Sequence, residues 1–423
     1  MKGVEALAEA IRSATDSQYT VPGFPVTGLG EAAGAEMVIN EKTALEYALG
    51  DSLSGRRAAV IIKNVGVNAC ADPLAQASVQ GLNAGVLLVV GDDPEAKGSQ
   101  TAQDSRYYGE LAEIPVIEPD NRTCFTGVEA ALEASEKFSR VAMLRLTPGL
   151  LDGEVMGEPV PRHQQNGNLA DPGLTMRGRA TAAENSYRDM ARWSDGSLLN
   201  RWAGGTLGAG SSPGDSRIVT INPVPSNASQ FAQINESGRS FVRDHRAIRR
   251  QDTHEHPESR KDRGFGRTFC PDCPYHAAFG IIRERDLRIV CDAGCSVFGT
   301  SPPAGFGVAS YGMGSSIAVA ARSTRIALIG DYALLHSGLN ALIDVYQKGL
   351  PLLCIVMNNH CAAMTGGQQV IDPVPFVRWA NPIVCDADDE DRLREVIRKP
   401  DGPLTVVIEA NCPKGACHET VEY

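Results

Sequence analysis

Two hydrophobic periods alternate along the first 150 residues. Met1 to Ala14 reads as an amphipathic helix, whereas Ala58 to Ile62 and Gly85 to Val90 are short apolar runs bounded by Gly, Asn or Asp, the signature of buried strands. Pro115 to Ile117 and Val141 to Leu146 are shorter runs of the same kind. Helix and strand patterns in alternation predict an α/β domain with a parallel sheet over residues 1–150. The pattern then stops. From Leu151 to Gly266 the chain is rich in Gly, Ser, Asn, Asp and Arg, with no aliphatic run beyond Ile218 to Ile221. Arg239 to Arg267 is its most charged part, and such composition buries too little apolar surface to offset the entropy of ordering. Residues 151–266 are therefore expected to be a polar, partly irregular linker that gains what order it has by lying on its neighbours, with Ala180 to Leu198 as one candidate helix. From Cys270 the alternation resumes, with strands expected near Leu287 to Val290, Arg325 to Ile329, Leu352 to Met357 and Leu404 to Ile408. The fold expected is α/β: two doubly wound parallel-sheet domains, 1–150 and 267–423, without a visible repeat between them.

Composition narrows the partners. The 423 residues carry 43% hydrophobic side chains and a net charge of −11, so neither nucleic acid nor an anionic membrane surface is an expected partner, since both select a basic face. No apolar run is long enough to span a bilayer, and a cytoplasmic protein is expected. Eleven cysteines do not suit disulfide staples in a reducing compartment. Cys70, Cys124, Cys354 and Cys385 lie in or beside apolar runs and read as small buried hydrophobes. Cys270, Cys273, Cys291, Cys295, Cys412 and Cys417 lie among Gly and Pro in turn-like sequence and are ligand candidates.

The strongest chemical signal is in the later domain. The run Arg325 to Ile329 delivers Gly330 and Asp331 to the carboxyl end of a strand, and Pro351 to Met357 delivers Asn358 and Asn359 to the same edge. A carboxylate and an amide oxygen converging there suit a hard cation bridging phosphates, and Leu334 to Gln347 between them has helical period. An ordinary strand-helix-strand unit with a polar loop is the plainer account. The spacing resembles the thiamine diphosphate signature. That chemistry needs a carboxyl group against the aminopyrimidine, for which Glu41 is the candidate, the alternative being a first-turn glutamate that favours the helix dipole.

Longer motifs carry a wider resemblance. Gly23-Phe24-Pro25-Val26-Thr27, Asn40-Glu41-Lys42, Lys63 to Asn68, Ala71-Asp72-Pro73-Leu74 and Gly91-Asp92-Asp93-Pro94 are followed by Cys270-Pro271-Asp272-Cys273-Pro274-Tyr275-His276, Gly294-Cys295, His336-Ser337-Gly338 and Ala363-Met364-Thr365-Gly366-Gly367-Gln368. In this order they resemble the large subunit of indolepyruvate:ferredoxin oxidoreductases, within the thiamine-dependent 2-oxoacid:ferredoxin oxidoreductase superfamily. The resemblance implies a cofactor in a cleft, with its aminopyrimidine on the earlier domain and its diphosphate on the later one. It makes Glu41 the pyrimidine partner, and Asp331, Asn359 and the Cys361 carbonyl the Mg²⁺ ligands. Gly330, Tyr332, Ser337, Asn358 and Thr365 would contact the cofactor. Thr27 would sit near the substrate carboxylate or carbonyl, unless it is only a turn threonine, and His336 near the diphosphate or the reacting carbon.

The resemblance further implies a [4Fe-4S] cluster on Cys270, Cys273, Cys295 and Cys412, with Cys291 and Cys417 as alternates. Zinc, or an unligated reduced set, is the competing account of those thiols. The reaction implied is oxidative decarboxylation of a 2-oxoacid, an aryl pyruvate by resemblance, with electrons leaving to ferredoxin or a small partner subunit and coenzyme A as a further co-substrate. A homo- or hetero-oligomer is implied, because a second copy commonly completes a thiamine cleft. Two departures stand out: the sequence lacks the cysteine-rich ferredoxin-like segment at its end, and its middle is short and polar where the family has a folded domain. A non-oxidative decarboxylase of the sulfopyruvate or phosphonopyruvate type, and a non-catalytic subunit that relays electrons, are the alternatives.

Overall fold

The computed structural model describes residues 1–93, 96–101, 103–196, 202–203, 206–208, 221–222, 233–235, 265–413 and 420–422. Pro94, Cys417 and nearly all of the charged stretch Arg239 to Arg267 lie outside the described residues. The chain gathers into two compact units, Met1–Leu169 with Thr181–Glu258 and Ala170–Ala180 with Ser259–Tyr423.

In the first unit the parallel strands are Ser17–Thr20, Glu36–Met37, Ala58–Lys63, Val86–Gly91, Val116–Ile117 and Ala142–Leu146. Numbered in that sequence they lie in the order 2-1-3-4-6-5, and Ile221–Asn222 adds an antiparallel edge beside the fifth. The central strands are buried on both faces, which is why they read as unbroken apolar runs. Helices Gly3–Ala14 and Cys124–Phe138 lay Leu7, Ile11, Val128 and Leu132 against Ile61, Val89 and Leu144 in one core. Arg57, fully buried at the entry to strand three, donates to Glu136 at 2.7 Å, Glu129 at 2.8 Å and the His163 carbonyl at 2.8 Å. The same carboxylates accept from the N–H groups of His163 and Gln165, so residues just past 150 are fastened to this unit. A helix occupies Met176–Gly196, where Ala180 to Leu198 was expected, and buries Met190 against Ala134 and Phe138.

The second unit has the parallel strands Ile289–Cys291, Gly307–Ala309, Ile326–Gly330, Leu352–Asn358, Ile383–Asp386 and Pro403–Glu409. Their order is again 2-1-3-4-6-5. The sequence shows no repeat, yet the two sheets share one topology. Ser17–Thr20, Glu36–Met37, Gly307–Ala309 and Ile383–Asp386 were not expected. Each is short and none is buried throughout, so none carries enough periodic positions to be read. Between strands three and four, Asp331–Gln347 follows a helical path that widens to i→i+5 bonding over Leu334–Gly338. Among the described residues no helix is long and apolar enough to cross a membrane.

Candidate thiamine and metal site

Four neighbouring strands of the second unit end on one edge. Ile289–Cys291 leads to Asp292, whose carboxylate accepts from Ala293 N–H at 3.0 Å, Gly314 N–H at 2.8 Å and Ser316 N–H at 3.0 Å. This fixes the turn that presents Gly294, at φ +95°, and Cys295. Ile326–Gly330 presents Asp331, Leu352–Asn358 presents Asn359 and Cys361, and Pro403–Glu409 leads to Cys412. The edge between strands one and three is where the order of the sheet reverses, the position at which open α/β sheets take ligands. A cavity of about 320 Å³ lies there.

Its wall brings together most of the residues singled out from sequence in this half: Cys270, Cys273, Cys295, Cys412, Gly330, Asp331, Tyr332, Asn359, Cys361 and Thr365. Phe269, Phe279, Met313, Met357 and Met364 make the rest of the wall largely apolar. Asp331 is almost fully buried, with N–H donors from Tyr332 at 2.7 Å and His360 at 2.8 Å, and burial pushes its pKa up despite those bonds. The outward atom of the Asn359 amide lies 3.2 Å from Asp331 Oδ2 and 2.9 Å from the Cys361 carbonyl oxygen. With the amide oxygen there, three oxygens meet without a proton between them, and Nδ2 donates to Cys412 Sγ at 3.0 Å. Turned over, the amide would donate to both oxygens instead. The first arrangement suits a cation, because octahedral Mg²⁺ with bonds of about 2.1 Å sets adjacent ligand oxygens about 3.0 Å apart. The donor set therefore fits Mg²⁺.

Cys270 is buried, and Cys273, Cys295, Cys361 and Cys412 are half-buried. Burial first, then neighbouring sulfurs, pushes Cys273 up to about 11, Cys295 to about 12 and Cys361 to about 11. Cys295 responds to Cys412, Cys273, Cys270 and Cys361, so all five sulfurs form one neighbourhood. Among the described residues no three His, Cys, Asp or Glu side chains already stand at metal-holding distance, so the thiols line a shared wall and do not form a closed cage. Their chemistry fits a cluster or zinc. Cys291, the alternate third ligand, is packed in the core against Gly299 and Gly307 and does not line the cavity. Cys70, Cys124, Cys354 and Cys385 are buried.

Three sequence candidates fall away from the cavity wall. His336 is exposed, its ring 5.8 Å from that of Tyr332. Ser337 spends its hydroxyl on the Met313 carbonyl at 2.6 Å, in a contact so close that a Cβ on Gly314 would come within 2.5 Å of Gly338 N. Asn358 turns to Glu409, at 2.7 Å, and Asp372, at 3.2 Å. Spacing along the chain could not separate Asn358 from its neighbour Asn359, because successive residues at a strand end face opposite ways, nor tell which way the helical residues His336 and Ser337 turn. What sequence reasoning missed is Tyr275, inside a motif already singled out, and the thiol of Cys361.

In the first unit Glu41 opens the helix Glu41–Leu53, behind an Asn40 cap that accepts from Thr43 N–H at 2.8 Å. Its carboxylate lies flat against Gly66, where a Cβ would sit 2.6 Å from Oε1, so only glycine leaves room for it. Cys70 Sγ donates to the Glu41 carbonyl at 3.3 Å. Thr27 is the first residue of the helix Thr27–Ala33 and is half-buried.

Residues 275–377 match the family of thiamine pyrophosphate enzymes, C-terminal TPP binding domain. Over that segment the chain is similar to the thiamine-pyrophosphate-dependent enzymes. Among curated proteins it is similar to indolepyruvate oxidoreductase subunit IorA of Methanothermobacter marburgensis, at 26% identity over 475 aligned residues, covering 86% of this chain and 75% of that one. The same subunit from Archaeoglobus fulgidus is 25% identical with the same coverage. That of Pyrococcus abyssi is 37% identical over 158 residues, 34% of this chain and 24% of that one. Among solved structures, a candidate thiamin diphosphate-dependent enzyme from Mycobacterium smegmatis superposes with a TM-score of 0.56 at 15% identity, covering 98% of this chain and all of that one. That likeness supports the α/β fold and nothing beyond it.

Proposed function

We propose that this chain is the thiamine-binding subunit of a cytoplasmic oxidoreductase that oxidatively decarboxylates a 2-oxoacid, an aryl pyruvate such as indolepyruvate. Thiamine diphosphate supplies, when bound, the electron sink for cleaving the bond beside a carbonyl. The observation that carries the reading is the meeting of Asp331 Oδ2, the Asn359 amide and the Cys361 carbonyl within 3.2 Å, in a cavity that also has four motif cysteines in its wall. In this reading Asp331, Asn359 and the Cys361 carbonyl hold Mg²⁺ and through it the diphosphate. Tyr332, Gly330 and Thr365 border that end, and the Glu41 carboxyl would donate to the far ring nitrogen of the aminopyrimidine. Phe269, Met313, Met357 and Met364 keep water from the reacting end and favour a flat, apolar substrate side chain.

Cys270, Cys273, Cys295 and Cys412 would hold a [4Fe-4S] cluster, a one-electron acceptor beside the cofactor. Because the relatives are named as a subunit, a small oxidoreductase subunit is the proposed partner, with ferredoxin as electron acceptor and coenzyme A as acyl acceptor. The deciding experiment is an anaerobic inventory of the purified chain followed by turnover. About four iron atoms with acid-labile sulfide, one thiamine diphosphate, and reduction of a ferredoxin that Glu41→Gln abolishes support the reading. Zinc at the thiols with aldehyde release and no acceptor would replace it with the non-oxidative decarboxylase.

A further inference from the structure

Asn359 is flanked by two side chains that are held by one carboxylate. Glu409, at the end of the strand Pro403–Glu409, stands opposite Asn358 in the sheet, so the strand ladder itself delivers its carboxylate to this loop. One of its oxygens accepts from Asn358 Nδ2 at 2.7 Å, and the other lies 2.9 Å from His360 Nε2. A carboxylate only accepts, so Nε2 carries the hydrogen of that bond. Asn358 Nδ2 also reaches Asp372 at 3.2 Å. None of these four side chains lines the cavity. The bend between them is strained: His360 has φ +57°, a left-handed conformation that costs any residue but glycine, and such a residue stays there only where its surroundings hold it. That bend aims the His360 N–H at Asp331 Oδ2, at 2.8 Å, and joins Asn359 to Cys361, whose amide and carbonyl meet at 2.9 Å beside the same carboxylate.

We propose that Glu409 is a positioning residue for the metal loop: by holding both neighbours of Asn359 it keeps the His360 bend in place and so sets the spacing of the Asn359 and Cys361 oxygens for Mg²⁺. This rests on the reading of Asp331, Asn359 and the Cys361 carbonyl as the Mg²⁺ ligands. Groups that orient ligands without touching the ion are worth about 10- to 100-fold in metal affinity. Mg²⁺ is the exacting probe of such spacing, since it demands a nearly ideal octahedron with bonds of about 2.1 Å, whereas Ca²⁺ takes longer and less regular ones. Loosening the bend therefore acts on one ion more than on the other.

The test titrates the full-length chain with Mg²⁺ and, separately, with Ca²⁺ at a fixed excess of thiamine diphosphate, and reads the half-saturating concentration of each ion by calorimetry. Glu409→Ala should raise the Mg²⁺ value about tenfold or more and the Ca²⁺ value less than about threefold. Glu409→Gln keeps the shape but offers one acceptor oxygen to two donors, so it should move the Mg²⁺ value in the same direction by a smaller factor. It also decides the matter should Glu409→Ala not fold. A role in the fold alone would weaken both ions alike. Equal weakening of the two ions therefore overturns the proposal, as does an unchanged Mg²⁺ value in a chain whose unaltered form binds thiamine diphosphate only with a divalent ion. If the unaltered chain binds thiamine diphosphate with neither ion present, the Mg²⁺ reading itself falls and this proposal with it.

Discussion

The two units thread six parallel strands in the same order, yet their carboxyl edges are finished in opposite ways. In the first unit the edge is closed by internal ion pairs. Arg145, at the end of its strand, is fully buried between Asp92 at 2.5 Å and Glu118 at 2.5 Å, with Asp104 at 3.9 Å, and Asp92 also accepts from Ser105. In the second unit the equivalent edge holds an Asp331 carboxylate with no cation against it, a carbonyl and an amide turned on each other, five thiols and an unpaired phenol. One topology thus serves as a finished platform in one place and as a receptor in the other. The contrast lies in charge pairing, since single unsatisfied polar atoms occur in both units, Glu118 Oε1 among them.

The comparison is broken most forcefully at Arg145. Arg145→Met leaves Asp92 and Glu118 buried without their paired cation, and chemical denaturation should show a loss of about 3–5 kcal/mol in the first unit. If that loss is absent, the edge is not the closed structural network described. Asp331→Asn in the second unit should do the reverse. The metal-free chain should keep or gain stability while Mg²⁺-dependent binding of thiamine diphosphate falls more than tenfold, as calorimetry would show.

Acid should separate the two units as well. Burial works against the Asp104 carboxylate, but the Arg106 hydrogen bond and the Arg145 charge outweigh it and hold its pKa below the usual range. Its stabilisation is present above the unfolded value of about 3.9 and is lost as pH falls through the lower folded value. Asp331, raised by burial, has the opposite sign: the metal-free fold is favoured below the unfolded value and loses that advantage as pH rises through the folded one. Asp104→Asn should therefore flatten the acid limb of an unfolding profile, and Asp331→Asn should flatten a decline on the neutral side.

Gly66→Ala tests whether Glu41 is placed or merely present. The added Cβ would meet Glu41 Oε1 at 2.6 Å and Cγ at 2.7 Å, so the side chain must turn away, and the displaced carboxylate should slow turnover about tenfold or more. His336→Ala should have the smallest effect. The ring is exposed and outside the cavity wall, and turnover within about twofold of the unaltered chain is expected.

Much of this was legible in the sequence. The apolar runs at Ala58, Gly85, Arg325 and Leu352 gave central strands to within a residue or two, because strands buried on both faces leave unbroken hydrophobic stretches. The short strands at Ser17, Glu36, Gly307 and Ile383 left no such trace, and with them went the shared strand order. Motif spacing placed Asp331 and Asn359 directly after strand ends, and the cysteines in the turns a few residues beyond. It placed His336, Ser337 and Asn358 with them and had no means to tell them apart.

Sequence alone determined which residue types reach the strand ends: it set a carboxylate, amides and thiols after apolar runs, and such chemistry is written residue by residue. Only the tertiary structure decided which of them face one cavity, that Cys291 turns into the core while Cys295 does not, and that the Tyr275 hydroxyl is left without a partner. Facing and satisfaction depend on strands far apart in the chain lying side by side, and no local pattern records which neighbour a side chain will meet.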